Sequence, residues 1–134
     1  GDPEAQTLLP RVGGDFALLL DSVARGAMDL SLATLSQRHC VGIVLATGDY
    51  PRSNTPLQKM NANISLAPGC HAFWGSSKRT DAGVSTSGGR VLTVTALGDD
   101  LAAARSNAYA AVRQLAGRLG TDALTYRTDI AASP

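Results

Sequence analysis

The sequence predicts an α+β fold: an antiparallel-rich or mixed sheet with helices packed against it. Three observations carry this prediction. Apolar residues recur at helical spacing near the N-terminus and again over residues 101–116. Between them lie short apolar or alternating runs at 41–47, 71–75 and 90–97, the pattern of strands. Turn-rich segments, not helices, join these runs, which favours antiparallel pairing over parallel crossover units.

Asp2-Pro3-Glu4 reads as a helix start. Asp2 is the expected cap, Pro3 suits the first helical position, and Glu4 suits the positive helix end. Pro10 limits that helix, because a residue before proline is pushed away from helical angles. Gly13-Gly14 marks a break. A second helix is predicted from its cap, Asp15, to Ala24, with Phe16, Leu19, Leu20 and Val23 as its apolar face and Gly26 ending it. Residues 28–37 read as a connector.

Val41 to Thr47 is the first strand, and Gly48-Asp49-Tyr50-Pro51 ends it. Residues 48–69 read as a long loop with one short strand at Ile64-Ser65-Leu66. His71 to Gly75 is a further strand, with Trp74 expected in the core. The Ser-rich stretch from Ser76 to Ser85 reads as a loop, and Val84 to Thr86 as a short strand. Gly88-Gly89 reads as a hairpin turn before the strand Arg90 to Leu97. On that strand Leu92, Val94 and Ala96 face one way, and Val91, Thr93 and Thr95 the other. A helix follows from about Leu101 to Ala116, capped by Asp99 or Asp100. Its inner stripe is Leu101, Ala104, Ala108, Ala111, Val112 and Leu115, and Gly117 and Gly120 stop it. Leu124 to Tyr126 is the last strand, Arg127 and Asp129 are placed to pair, and the tail from Ala131 frays.

The 134 residues suit about one domain, and 44% hydrophobic with 17% charged residues suits a globular core. The longest apolar runs, Phe16 to Leu20 and Ile43 to Ala46, fall far short of the roughly 20 residues of a membrane helix. The acidic opening Gly1-Asp2-Pro3-Glu4 is unlike a secretory signal, and a start without Met fits a chain cut from something longer. A net charge of +1 gives nucleic-acid binding no electrostatic engine. Residues 31–90 nevertheless hold six bases against two acids, a balance that suits a small phosphorylated ligand or a solvated basic surface. Cys40 and Cys70 lie 30 residues apart, which is neither a metal spacing nor a disulfide framework. A reducing, cytoplasmic compartment is expected. No nucleophile elbow, phosphate loop, carboxylate pair or zinc pattern is present.

Several strings change this picture when taken in order. Gly1-Asp2-Pro3-Glu4-Ala5-Gln6 opens the chain. Leu45-Ala46-Thr47-Gly48-Asp49-Tyr50-Pro51 and Gly88-Gly89-Arg90-Val91-Leu92 follow, then Ala104 with Ala108-Tyr109, and Arg127-Thr128-Asp129-Ile130 closes. The chain resembles, over essentially its whole length, the C-terminal part of the phosphoribosylamine–glycine ligase family, also called glycinamide ribonucleotide synthetases. Gly-Asp-Pro-Glu-x-Gln and Gly-Gly-Arg-Val-Leu are the strings that carry the resemblance.

The resemblance implies an ATP-grasp ligase of purine synthesis. ATP and Mg2+ serve the full-length enzyme, glycine is activated as an acyl phosphate, and the amine of phosphoribosylamine attacks it. The nucleotide clamp and magnesium ligands of that family precede Gly1, so this chain is expected to bind neither by itself and to be inactive alone. Residues 1–37 are then the helical end of the ATP-grasp domain with a connector. Residues 38–134 are the C-terminal β-rich domain shared with biotin-carboxylase-like relatives. The expected partners are phosphoribosylamine, glycine and the rest of the ATP-grasp core, with no nucleic acid and no membrane. No catalytic or metal-binding residue is expected in this chain. Asp2 and Glu4 are expected to border the acceptor pocket, where a carboxylate would hold an ammonium group, besides their capping role. Gly88, Gly89 and Arg90 are expected to meet a phosphate, the glycines by close backbone approach and the arginine by its planar fork. Lys78 and Arg79 would add charge, and the loop at Gly48, Tyr50 and Pro51 would face the cleft.

The chain departs from the family at three places. Asp49 stands where the family has glycine. Phe73 stands where it has histidine, in Phe73-Trp74-Gly75-Ser76 against His-Ala-Gly-Thr, with His71 two places away. Residues 52–60 lack the usual glycine spacing. These departures leave a second reading open, a non-catalytic ligand-binding or scaffolding domain descended from such a ligase.

Overall fold

A computed structural model describes residues 1–48, 50–52, 58–61, 63–81, 83–116 and 124–132. The Asp49 substitution, the helix stops at Gly117 and Gly120 and the end of the tail lie outside these residues.

The longest apolar and alternating runs become the two central strands. β1 (Val12–Gly14) and β2 (Ala33–Leu35) come before them, and the centre is built from β3 (His39–Thr47) and β8 (Arg90–Gly98). Between these two in sequence run β4 (Lys59–Met60), β5 (Cys70–Trp74), β6 (Ser77–Thr80) and β7 (Gly83–Thr86), and β9 (Leu124–Thr125) comes last. The main sheet has the order β5-β8-β3-β9 and is antiparallel throughout. A three-stranded sheet, β4-β7-β6, and a two-stranded ladder, β1-β2, complete the fold, which is α+β as expected.

One face of the main sheet holds the core. Val41, Ile43 and Leu45 of β3 pair with Ala96, Val94 and Leu92 of β8, and all six are buried. The helix α3 (Leu101–Ala116) covers this face with Ala104, Ala108, Tyr109, Ala111, Val112 and Leu115. Asp100 caps it, accepting from the Ala103 amide at 2.7 Å. Leu101, expected in the inner stripe, is exposed, because the cap turn holds it outside the sheet. Three buried alanines on α3, Ala104, Ala108 and Ala111, let it approach closely. Gly98 is the limiting contact, since a Cβ there would overlap the backbone of Ala103 and Ala104.

The other face receives the N-terminal segment. α1 (Glu4–Leu8) lies on β3 and β8, and a Cβ on Gly42 would come within 2.7 Å of the Thr7 methyl. Past Leu8 the chain tightens into a 3-10 turn, Leu9–Arg11, where Pro10 prevents a longer α-helix. α2 (Phe16–Ala24) is capped by Asp15, which accepts from Leu18 N at 2.9 Å, and Gly26 follows in the left-handed region. Its expected apolar face does not pack on the sheet. Phe16, Leu20 and Val23 of that face are exposed and Leu19 is half-buried, while Ser22 is the buried residue. Among the described residues, nine of the twelve exposed large apolar side chains lie between residues 8 and 35, so exposed apolar surface is concentrated in this segment.

Four further expectations are corrected. Gly13-Gly14 is not only a break, because it pairs with Ala33–Thr34 across the β1-β2 ladder and the connector contributes a strand. Ile64-Ser65-Leu66 is not a strand. The Ser-rich stretch is the β6-β7 pair, with Gly83 in the left-handed region at the turn. Trp74 is partly exposed, because β5 is the edge strand of the main sheet among the described residues.

Candidate functional site

Arg90 opens β8, and its orientation is set by a bulge. Down the β3-β8 ladder Leu45 pairs with Leu92, but Ala46 pairs with Arg90, so Val91 is an extra residue. Strict alternation would put Arg90 on the α3 face beside Leu92. The bulge turns it to the opposite face, shared with Ala46 and Thr93. Bulges commonly re-aim a side chain in this way, and period-two patterning cannot reveal them.

On that face Arg90 meets the start of the chain. Its Nη2 lies 2.7 Å from Oδ2 of Asp2. Asp2 therefore does not cap α1 as the sequence led one to expect. The helix begins at Glu4 with Pro3 at the cap position, no side chain caps it, and the Asp2 carboxylate goes to the arginine. Both groups remain accessible, with side-chain exposures of 44% for Arg90 and 65% for Asp2.

The pair borders a cavity of about 140 Å3, lined by Asp2, Gln6, Gly75, Ser76, Arg90 and Thr93, with Val44 and Leu92 behind. Two backbone bonds bring the Gly75-Ser76 corner here. Gly75 N donates to Val91 O and Ser76 N to Arg90 O, both at 2.8 Å. A Cβ on Gly75 would lie 2.8 Å from Arg90 O, so a side chain there would push this corner away.

The remaining expected residues are placed differently. Glu4 folds back over Gly1, and the ion pair of Arg90 is with Asp2. Gly88-Gly89 is not a hairpin turn, because β7 and β8 belong to different sheets and the dipeptide links them. Neither glycine has a positive φ, and both fit against side chains. A Cβ on Gly88 would meet Ser76 at 2.8 Å, and one on Gly89 would strike the Tyr50 ring. Gly89 O also accepts from Thr47 N at 2.8 Å, so Thr47 and Tyr50 sit beside this link. Neither glycine lines the Asp2–Arg90 cavity. Lys78 and Arg79 lie exposed on β6 and do not line it either. Phe73 stacks near His71, with centroids 6.2 Å apart, and lines a separate groove with Trp74.

The cysteines are not placed for nucleophilic work. Cys40 pairs with Leu97 and Cys70 with Ala96, so they flank β8 on opposite faces and cannot bridge. Burial pushes the Cys40 thiol up, against the pull of the Arg11 charge and the nearby Thr95 hydroxyl, and burial also raises Cys70. Arg127 and Asp129 do pair, at the surface near the C-terminus, which raises the arginine and lowers the carboxyl through their mutual hydrogen bonds.

The sequence reading missed Gln6, Gly75 and Ser76 as cavity residues. A signal for Gln6 was present, since Gly-Asp-Pro-Glu-x-Gln sets it four residues after Asp2, one helical turn away.

Residues 40–133 match the family described as Phosphoribosylglycinamide synthetase, C domain. Phosphoribosylamine–glycine ligases are similar along nearly the whole chain. The one from Neisseria meningitidis is 34% identical over 98% of this chain and 30% of its own length. That of Pseudomonas syringae is 38% identical over 97% and 30%, and that of Streptomyces coelicolor 37% over 98% and 32%. Among solved structures, the ligase of that name from Thermotoga maritima superposes with a TM-score of 0.69 at 28% identity, covering 97% of this chain and 31% of its own. The chain thus spans about three-tenths of the length of the relatives it matches.

Proposed function

The chain belongs to the phosphoribosylglycinamide synthetase C-domain family, and we propose that it is the C-terminal segment of an ATP-grasp ligase of purine synthesis. The reaction joins the glycine carboxyl to the amine of phosphoribosylamine, with ATP cleavage driving the condensation. This chain would furnish one wall of the acceptor pocket. Residues 1–37 would be the end of the ATP-grasp domain and 38–134 the β-rich C-terminal domain. The observation that carries this reading is the Asp2–Arg90 pair at a small polar cavity, which joins the two strings of the resemblance in space.

The cavity is sized for a small group. At about 30 Å3 per water, 140 Å3 corresponds to roughly five waters. A phosphate or an amino-acid moiety fits that space. Among the described residues no three His, Cys, Asp or Glu side chains gather as metal ligands. ATP and Mg2+ would serve the complete ligase. By the resemblance, their ligands belong to the part of the longer ligase outside this chain. Arg90 would hold an acidic group of the acceptor by charge-assisted hydrogen bonds, and Asp2 a neighbouring amine or ammonium. Gly88 and Gly89 would act by fixing the start of β8 against Tyr50 and Ser76.

The exposed apolar side chains of residues 8–35 support the rest of the ligase as the partner. A helix such as α2, apolar on the outside and barely attached to the sheet, matches the edge of a larger packed unit. Among the described residues no helix is long and apolar enough to cross a membrane. We assign the ligase to the cytoplasm, although the Arabidopsis thaliana relative is named as chloroplastic.

The test uses the complete ligase. Arg90→Ala should raise the KM for phosphoribosylamine by about 10- to 150-fold, the equivalent of roughly 1.5–3 kcal/mol for a charge-assisted contact. The KM for ATP should stay within twofold. An unchanged acceptor KM removes Arg90 from the pocket, and ATP- and glycine-dependent turnover by the isolated 134 residues would overturn the partition of the machinery.

A further inference from the structure

We propose that the groove between α3 and the C-terminal segment, residues 124–132, is a second ligand site. It takes a planar aromatic ring that carries a phosphate, with the bulk of a nucleoside monophosphate.

The groove is an open cleft of about 840 Å3. That lies within the roughly 300–1,000 Å3 of small-molecule sites. One wall is a single face of α3, where Arg105, Tyr109 and Arg113 recur every four residues with Ser106 beside them. The other wall is the C-terminal segment, with Tyr126 and Ala131. The site is distinct from the Asp2–Arg90 cavity. α3 covers the core face of the main sheet, Arg90 is turned to the opposite face, and the two spaces share no lining residue.

The C-terminal wall is held in place before any ligand enters. Tyr109 OH accepts from Ile130 N at 3.1 Å, and Arg105 Nε donates to Ile130 O at 3.0 Å, so Ile130 is fixed on both sides. The next residue, Ala131, has a φ of 53°, a region that residues other than glycine rarely adopt. Such conformations persist where the surrounding bonds over-determine them, and they gather at ligand clamps. A wall fixed in this way loses little conformational entropy on binding.

The lining names the class of ligand. Tyr126 is half-buried and lies against Tyr109, with ring centroids 6.3 Å apart, so an aromatic surface borders the groove. Arg105 is already engaged, over the Tyr109 ring and with the carbonyls of Thr128 and Ile130. Arg113 is exposed and has no ion pair among the described residues. It stands one turn past Tyr109, about 6 Å along the helix axis. Its planar fork suits a phosphate. Aromatic surface and guanidinium are thus spaced for a ring and an anion joined by a sugar-sized link, with the exposed Ser106 hydroxyl free to meet the link. Asp100, which caps α3, lines the other end of the groove and repels a phosphate there, so the ligand has one orientation.

The test titrates the 134-residue chain with AMP, adenosine and ribose 5-phosphate, followed by backbone 15N–1H signals. AMP should shift the signals of Ser106, Arg113 and Tyr126. It should bind about tenfold more tightly than adenosine, which lacks the phosphate, or ribose 5-phosphate, which lacks the ring. Arg113→Gln should weaken AMP about tenfold, leave adenosine within about twofold and melt within about 2 °C of the parent. Arg113→Lys should recover part of the loss. Ser106→Gln, at an exposed helix position, should weaken AMP and adenosine alike by filling the groove. The proposal is overturned if millimolar AMP shifts none of the three signals, or if Arg113→Gln leaves AMP unaffected or weakens adenosine equally. Loss of AMP binding in Arg90→Ala, with Arg113→Gln unaltered, would put the nucleotide in the acceptor cavity and overturn it as well.

Discussion

Asp2 and Arg90, 88 positions apart in sequence, meet at 2.7 Å because one extra residue in β8 turns the arginine toward the N-terminal segment. Three local features converge on that contact. The bulge at Val91 re-aims Arg90, the Gly75-Ser76 corner bonds to the same backbone, and α1 lies across β3 so that Asp2, two residues before the helix, reaches the start of β8.

The contact predicts a division between stability and binding. Exposed ion pairs contribute about 0–1 kcal/mol, because water screens them and two side chains must be held still. A double-mutant cycle with Asp2→Asn and Arg90→Ala, measured by thermal unfolding of the chain, should give a coupling below about 1 kcal/mol. A coupling above about 2 kcal/mol would identify the pair as a structural staple and weaken its assignment to ligand binding.

Two glycines report on the two faces of the main sheet. At Gly98 an added Cβ would overlap backbone of α3, which cannot yield without moving the helix. Gly98→Ala should therefore cost about 3 kcal/mol, the upper part of the usual range for overpacking. At Gly42 the nearest atom is the Thr7 methyl, at 2.7 Å, a side chain that can give way. Gly42→Ala should cost about 1 kcal/mol, and Thr7→Ser in the same chain should restore most of it, because it deletes that methyl. Melting temperatures resolve the two, at about 4 °C per kcal/mol for a chain of this size. Failure of Thr7→Ser to rescue would show that α1 does not rest on Gly42 in solution.

Much of the fold was legible because the long elements obey simple periods. Ile43, Leu45, Leu92 and Val94 alternate as a one-sided core requires, and α3 repeats its small residues at helical spacing. What escaped depends on events with no local period. The Val91 bulge appears only in the register between two strands, and β1, β2, β4 and β9 are two or three residues long, too short for any pattern. The apolar face of α2 reads as buried in sequence and is exposed here, because periodicity reports amphipathicity and not the identity of the partner. The candidate site divides in the same way. Asp2 and Arg90 came from strings that resemble a family, whereas Gly75, Ser76 and Gln6 came from the folded geometry.

The C-terminal segment offers a third test, since one hydroxyl fastens it to α3. Tyr109 is buried, and its OH donates to Arg127 O at 2.8 Å and accepts from Ile130 N at 3.1 Å. Arg105 reinforces the same segment from one turn earlier. Its guanidinium lies 4.8 Å from the Tyr109 ring centroid and donates to Thr128 O and Ile130 O. Tyr109→Phe removes the hydroxyl but keeps the ring, leaving an amide and a carbonyl without their partner, at a cost of roughly 1–3 kcal/mol. Because the loss is local, hydrogen exchange at Ile130 should accelerate far more than at Ile43 or Val94 in the sheet centre. Equal protection at Ile130 in the variant and the parent would mean that Arg105 alone holds the segment, and Arg105→Ala would then be the change that releases it.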